Sequence, residues 1–489
     1  MTRYAMAPVD AAWYHIDGPV NFALVTGILL TRQPLDFERV KAVCRQRLAR
    51  FDRFRQRVVE SGFPVATPYW EDMPDFAIEQ QVHHVALPAP HDRRALTDLI
   101  SDLASTPLDG KRPLWQVHVI DQVEGGSAFV MRFHHCIGDG TAMMAVSREL
   151  FDAAPGAPLR KAPARRAHRS ASGPIDRLFE SALGSVEASG RNLLSTTGVA
   201  LNVVRHPLQA LDRAATVLDG TAMLLGELLK RPDPRSPLKG TFGLRKRVAW
   251  SEPVALADVK AIGASSGAKI NDVLVAGMTG ALRAYLRKRG VDVNHTTVRA
   301  MVPVDLRPPE RALALGNEFG LVVLELAVRS RDPMRRLSFT KSNMDALKRS
   351  PEAVAIMALF NVFGRGPKAI EDLAVDVFGS KASVVMTNVA GPPQPIFLAG
   401  VPVDRMMFWV PHPGRQLGMG ISILSYKGFA TLAVIADAHL VPDPEAITDG
   451  FTREFAEMLK AVRRRAANPA IVRRHGEEAR PPMRPLQRR

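Results

Sequence analysis

The chain has 489 residues, of which 46% are hydrophobic and 23% charged, with a formal net charge of +16. That length exceeds one compact core, so two sizeable domains are expected, and the apolar share excludes a chain that is disordered throughout. The basic balance, with a pI of about 10.2, favours anionic partners such as nucleic acid, an anionic membrane or a phosphorylated cofactor.

The cysteines, Cys44 and Cys136, are far apart and cannot make a disulfide framework for a protein of this size. A reducing, cytoplasmic compartment is the simple reading. Asp10, His15 and Asp17 precede the first apolar run, residues 22–30, which argues against a signal peptide. That run falls short of the ~20 apolar residues a membrane helix needs, and no other stretch reaches that length. The chain is expected to be soluble or peripheral.

In chain order, WQVHVIDQV (Trp115–Val123) alternates with period 2 and predicts a strand. Gly125-Gly126 predicts a turn, and SAFVMRFHH (127–135) a second strand, so the pair predicts a hairpin. TAMMAVSRELFDA (141–153) has helical spacing. A first half thus spans 1–154. Residues 155–174, rich in Ala, Pro and Arg, predict an exposed linker, and 175–230 predict crossover helices, giving a basic connecting segment over 155–244. The second half, 245–465, predicts helices at 254–267 and 271–290, with Asn271 as N-cap and Gly290 as stop. Strands are expected at 297–304, 319–328, 382–387, 419–424 and 430–435, and helices at 333–348 and 444–465. The arginine-rich, proline-rich tail, 466–489, predicts disorder.

The most informative string is FHHCIGDG (133–140). It places His134 and His135 at a strand end, three residues before Asp139-Gly140, on a strand–loop–helix junction from which side chains project into clefts. An imidazole titrates near 6.5 and can take a proton at neutral pH. Adjacent strand residues point to opposite faces, so one ring can equally pack in the core while the other is exposed. Asp139 can cap the next helix or pair with a distant arginine. Gly140 supplies freedom for close backbone approach. A metal site is a rival, because His and Asp are ligand types, but no second ligand cluster is present. A Cys136 thiol nucleophile is another rival, although sequence neighbours in an extended segment rarely meet. Nucleic-acid binding would rest on charge alone, since no helix-turn-helix, zinc-finger or RNA-binding pattern stands out.

The string His134-His135-Cys136-Ile137-Gly138-Asp139-Gly140 resembles the HHxxxDG signature of the CoA-dependent acyltransferase superfamily. The chain as a whole resembles its bacterial wax ester synthase/diacylglycerol acyltransferase branch. Both halves contribute: MAPVDAAW near the start, Pro113-Leu114-Trp115, Asn271-Asp272, PVDLR ending at Arg307, GNEFG (316–320) and TNVAGPPQP (387–395). Thr387 and Ala390 depart from the family's serine and proline. The DFGWG motif of a sister branch is absent.

The resemblance implies an α/β fold of two chloramphenicol-acetyltransferase-like domains, each a mixed β-sheet with flanking helices, joined by a long helical linker, with a tunnel between them. It implies transfer of a long acyl group from acyl-CoA, a co-substrate, to diacylglycerol or a fatty alcohol, with no permanently bound cofactor and no metal. His135 would be the general base, His134 a support for the loop, and Asp139 a structural carboxylate paired with Arg307. Gly140 would allow close packing at the channel wall, and Asn271 would support the oxyanion or simply cap its helix. The alternatives are a related acyltransferase with another alcohol acceptor, or a catalytically silent lipid-surface protein. Basic segments and the 175–230 helices suit peripheral contact with the inner membrane or lipid inclusions, and no nucleic-acid partner is expected.

Overall fold

A computed structural model describes residues 3–60, 67–155, 232–234, 236–307, 315–348, 375–376, 379–412 and 416–467. The expected crossover helices at 175–230, most of the linker and nearly all of the tail lie outside these residues.

Two mixed sheets carry the structure. The first has six strands in the order Phe397–Leu398, Val401–Trp409, Leu24–Thr31, Gly126–His134, Trp115–Val123 and Val82–Ala86. All neighbours are antiparallel except the last pair. The second runs Phe319–Leu326, Val298–Asp305, Val384–Ala390, Met419–Tyr426, Phe429–Asp437 and Lys246–Trp250, with Val254–Ala255 joined to Phe429–Asp437. Its central strand Val384–Ala390 is parallel to both neighbours. A small third sheet pairs Tyr69–Asp72 with Arg3–Ala5 and Gln56–Val59. The fold is α/β, built on mixed sheets.

Sequence order does not map one half onto one sheet. The strand Val401–Trp409 lies in the chain between two strands of the second sheet, yet pairs with Leu24–Thr31 of the first. Burial drives the exchange: Trp409 is fully buried, its indole N–H donates to Ala249 O at 3.2 Å, and its ring meets Trp250 edge-on. The two sheets are thereby locked through a shared apolar layer that also includes Ile28, Val130, Met407, Ala433 and Ile435.

Three hairpins use the same device. Glu124-Gly125, Ala399-Gly400 and Lys427-Gly428 each place two successive residues at positive φ, the geometry that matches strand twist in two-residue turns. The dyad hairpin therefore turns on Glu124-Gly125 and not on the expected Gly125-Gly126. Gly126 opens the next strand, where a Cβ would lie 1.9 Å from Thr31 O, so close approach explains that glycine.

The dyad strand Gly126–His134 ends in a single 3-10 turn, His135–Ile137, before the helix Gly140–Leu150. The long helix Ile270–Lys288 packs between Pro333–Leu347 and Glu445–Ala467 on the second sheet, burying Val273, Leu274, Leu282 and Leu286. Its N-cap is Lys269, not Asn271, which sits inside the first turn. Asp272 Oδ2 accepts the Lys269 N–H at 2.9 Å and so ties down the helix start. Among the described residues, no helix is long and apolar enough to cross a membrane.

Candidate active site

His134 N–H is bonded to Leu114 O and His135 N–H to Ala23 O, so the backbone at the strand end is fixed on both sides. His134 then turns inward. Its Nδ1 accepts the Cys136 N–H at 3.2 Å, capping the 3-10 turn, and its Nε2 lies 3.3 Å from Asp17 Oδ1. An Nδ1 engaged as acceptor carries no proton, so this ring is the neutral Nε2–H tautomer. Burial disfavours charge on it, but Cys136 and Asp17 outweigh burial and push its pKa up to about 10; the Cys136 N–H aimed at Nδ1 leaves no room for a second proton there, so the neutral form is the one this geometry holds. The ring is spent on holding the turn. Cys136 is fully buried within that turn.

His135 is held differently. Its Nδ1 lies 3.0 Å from Asn317 Oδ1. Because an amide oxygen only accepts, Nδ1 donates and Nε2 keeps its lone pair. Nε2 has no hydrogen-bond partner among the described residues. Trp13 stacks on the ring with centroids 4.3 Å apart and planes at 17°, and Phe319 flanks it at 5.6 Å. The residue retains 8% of its surface. Burial pushes its pKa down to about 4; Asp139 and the Asn317 bond oppose that shift, and His134 adds to it. At neutral pH the ring is uncharged and ready to take a proton.

Asp139 both caps the helix and pairs with a distant arginine. Its Oδ1 accepts the Ala142 N–H at 2.9 Å, while Oδ2 accepts from Arg307 Nη2 at 2.6 Å and from the Glu318 N–H at 2.9 Å. Arg307 Nη2 also reaches Gly316 O at 2.8 Å. Gly138 forms an isolated bridge with Gly316. The His135 loop is thus bolted to the 316–318 segment of the second half.

Gly140 does not serve close packing. It is exposed, and a Cβ there would meet no atom within 4 Å. The glycine of the loop that is short of room is Gly138, where a Cβ would come 3.1 Å from Ala142 Cβ. Asn271 is bonded to Asn388, whose Nδ2 donates to Asn271 Oδ1 at 2.6 Å. That bond joins the long helix to the strand Val384–Ala390, with no link to the His135 loop. Among the described residues, no group of three or more His, Cys, Asp or Glu is arranged to hold a metal. A cavity of about 290 Å³ lies along the dyad helix, lined by Met144, Arg148, Phe151, Pro392, Ile396 and Met406. None of the His135 group lines it.

Several residues of the site have no role that local sequence pattern assigns. Asp10 and Trp13 lie in the MAPVDAAW string, and Asn317 and Glu318 in GNEFG. Neither string carries a local cue to the role of these side chains. Asp10 is 1% exposed, pairs with Arg53 at 2.8 Å, and accepts from Asn317 N and Nδ2 at 2.9 and 2.8 Å. Arg53 in turn donates to the carbonyls of Cys136 and Ile137. Only an arginine anchored elsewhere could have betrayed this group, and Arg53 carries no motif.

The family of wax ester synthase/diacylglycerol acyltransferase catalytic domains matches residues 6–274, and the family of WS/DGAT C-terminal domains matches residues 315–459. The chain belongs to the wax ester synthase/diacylglycerol acyltransferase family. It is therefore an acyltransferase. A Mycobacterium tuberculosis relative, named as a probable diacylglycerol O-acyltransferase, is 27% identical over 472 residues, covering 94% of this chain and 95% of its own. The solved wax ester synthase/diacylglycerol acyltransferase of Marinobacter aquaeolei VT8 superposes with a TM-score of 0.65 at 20% identity, over 94% of this chain and all of the other. The first condensation domain of the CDA synthetase gives 0.60 at 19% identity, over 94% of this chain and 96% of its own. Those two likenesses speak for the fold, which acyltransferases of this family share with condensation domains.

Proposed function

We propose that this acyltransferase moves a long acyl chain from acyl-CoA to the hydroxyl of diacylglycerol or a long-chain alcohol, with His135 as general base. The observation that carries the reading is the His135 ring: neutral, with Nδ1–H committed to Asn317 and the Nε2 lone pair uncommitted. An alcohol is a poor nucleophile until a base takes its proton during attack, a contribution of roughly 10²–10⁴ in rate. Nε2 would accept that proton as the oxygen bonds to the thioester carbon. The imidazolium formed would return it to the departing CoA thiolate, so the proton balance closes without an acyl-enzyme. The Trp13 face stacked on the ring favours the transient cation.

In this reading His134 and the Asp139–Arg307 pair hold the loop. Asn271, whose Oδ1 is taken by Asn388, anchors the long helix to its strand, and the oxyanion donor falls to groups that face the His135 ring.

The test is product analysis. The purified protein, given palmitoyl-CoA with hexadecanol and diacylglycerol in competition, is expected to release CoA and form wax ester or triacylglycerol. His135→Ala is expected to lose nearly all CoA release while remaining folded. Wild-type turnover in that variant would remove His135 as base. No CoA release from the wild type with either acceptor would favour a silent lipid-surface protein.

A further inference from the structure

We propose that Asp10, acting through Asn317, decides which imidazole nitrogen of His135 carries the proton, and is therefore a positioning residue for the reaction. The inference rests on the reading of His135 as base.

The direction of one amide sets the tautomer. An asparagine side chain has a donating end and an accepting end of nearly equal shape, so its orientation follows from its partners. Asn317 Nδ2 lies 2.8 Å from Asp10 Oδ1 and 2.9 Å from the His135 carbonyl oxygen. Both are acceptors, so both require the NH₂ end there. The opposite orientation would set an oxygen against two oxygens and forfeit both bonds. Oδ1 must then face His135 Nδ1, and Nδ1 must hold the proton. The free lone pair falls on Nε2 as a consequence.

Asp10 is what makes that choice firm. A carboxylate only accepts, whichever way it turns, and in a site 1% exposed its Oδ2 pairs with Arg53 at 2.8 Å. Its Oδ1 also receives the Asn317 backbone N–H at 2.9 Å, so the amide is registered at two points. Gly316 has φ +115°, a conformation reserved in practice for glycine, and it presents that N–H to Asp10. The carboxylate does not touch the imidazole. The intervening amide passes on orientation without placing a full negative charge beside the ring.

Asp10→Asn tests this at nearly constant shape. The Arg53 guanidinium is the stronger claimant for the new amide oxygen, which turns the new NH₂ towards Asn317. Asn317 then rotates, offers its own NH₂ to Nδ1, and moves the His135 proton to Nε2. The base is blocked while the ring keeps its place between Trp13 and Phe319.

The expected result for Asp10→Asn is a fall in kcat of roughly 10²–10⁴-fold, with KM for palmitoyl-CoA near the wild-type value, measured well below the melting range. Asn317→Ala should fall comparably. The double variant should be no slower than Asn317→Ala alone, because the aspartate has nothing left to act through. Wild-type kcat in Asp10→Asn, or multiplicative losses in the double variant, would overturn the proposal. A second measurement reads the wild type and does not need the Asp10 or Asn317 variants to fold. In ¹⁵N-histidine-labelled wild type at pH 7, with His135 assigned by its disappearance in His135→Gln, the ring is expected as the Nδ1–H tautomer. An Nε2–H ring would overturn the proposal. Full activity in His135→Gln would instead bring down the base assignment on which it rests.

Discussion

Arg307 Nη2 donates to Asp139 Oδ2 at 2.6 Å across 168 residues of sequence, with both side chains almost sealed from solvent. The same carboxylate caps the dyad helix and holds the Glu318 N–H, so one ion pair joins the loop, the helix and the second half. Removing one partner of such a pair leaves a buried charge uncompensated and costs about 3–5 kcal/mol. Arg307→Ala should lower the denaturation midpoint accordingly in equilibrium unfolding. Arg307→Lys should recover only part, since it keeps the charge but loses the forked contact with Gly316 O.

The pH dependence of activity separates a buried His135 from an exposed one. With its pKa pushed down to about 4 by burial, the ring stays an unprotonated base until the pH falls through that value. The acid limb of kcat/KM, which reports the free enzyme, is expected near pH 4. A limb near 6.5 would mean that the working ring is solvated.

Acid stability should follow the buried histidines. His118 is held down to about 3, by burial first and then by His83 and the Arg132 cation; its Nδ1 has no partner. A histidine whose folded pKa lies below its unfolded 6.5 binds its proton more readily when unfolded. Its contribution is therefore complete above pH 6.5 and is lost as the pH falls towards 3, at about 1.4 kcal/mol per pH unit. Urea denaturation at stepped pH should show this slope, and His118→Leu should make it shallower.

Two glycines of the dyad region should respond oppositely to alanine. Gly126→Ala forces a Cβ to 1.9 Å from Thr31 O and should destabilise by more than about 2 kcal/mol, or prevent folding. Gly140→Ala finds open space in the first turn of a helix and should be neutral or stabilising by up to about 1 kcal/mol in thermal melts.

Neither cysteine should react in the native protein. Both are fully buried, and burial raises the Cys44 thiol to about 12. A thiol-specific chromophore should label them only after unfolding, and Cys136→Ala should keep turnover, as expected if the thiol is no nucleophile.

Local pattern made much of the architecture legible. Period-2 alternation marked Trp115–Val123 to the residue, and apolar spacing marked the helices Pro333–Leu347 and Ile270–Lys288 to within a residue or two. The strands Leu24–Thr31 and Val401–Trp409 escaped. The first was noticed only as an apolar run, and the second has its partner nearly 380 positions away, so nothing local specifies the pairing. Asn271 read as an N-cap because its type suits that position, but Asp272 reaching back to the Lys269 N–H set the helix start two residues earlier.

The sequence by itself determined the local alphabet of the site: a histidine pair at a strand end and an aspartate able to cap the next helix. Those follow from short-range chemistry, where spacing along the chain is spacing in space. Only the tertiary structure decided which ring is free and which is spent. That depends on acceptors brought from positions 10, 17 and 317, and hydrogen-bond direction cannot be read until donor and acceptor stand within about 3 Å of each other.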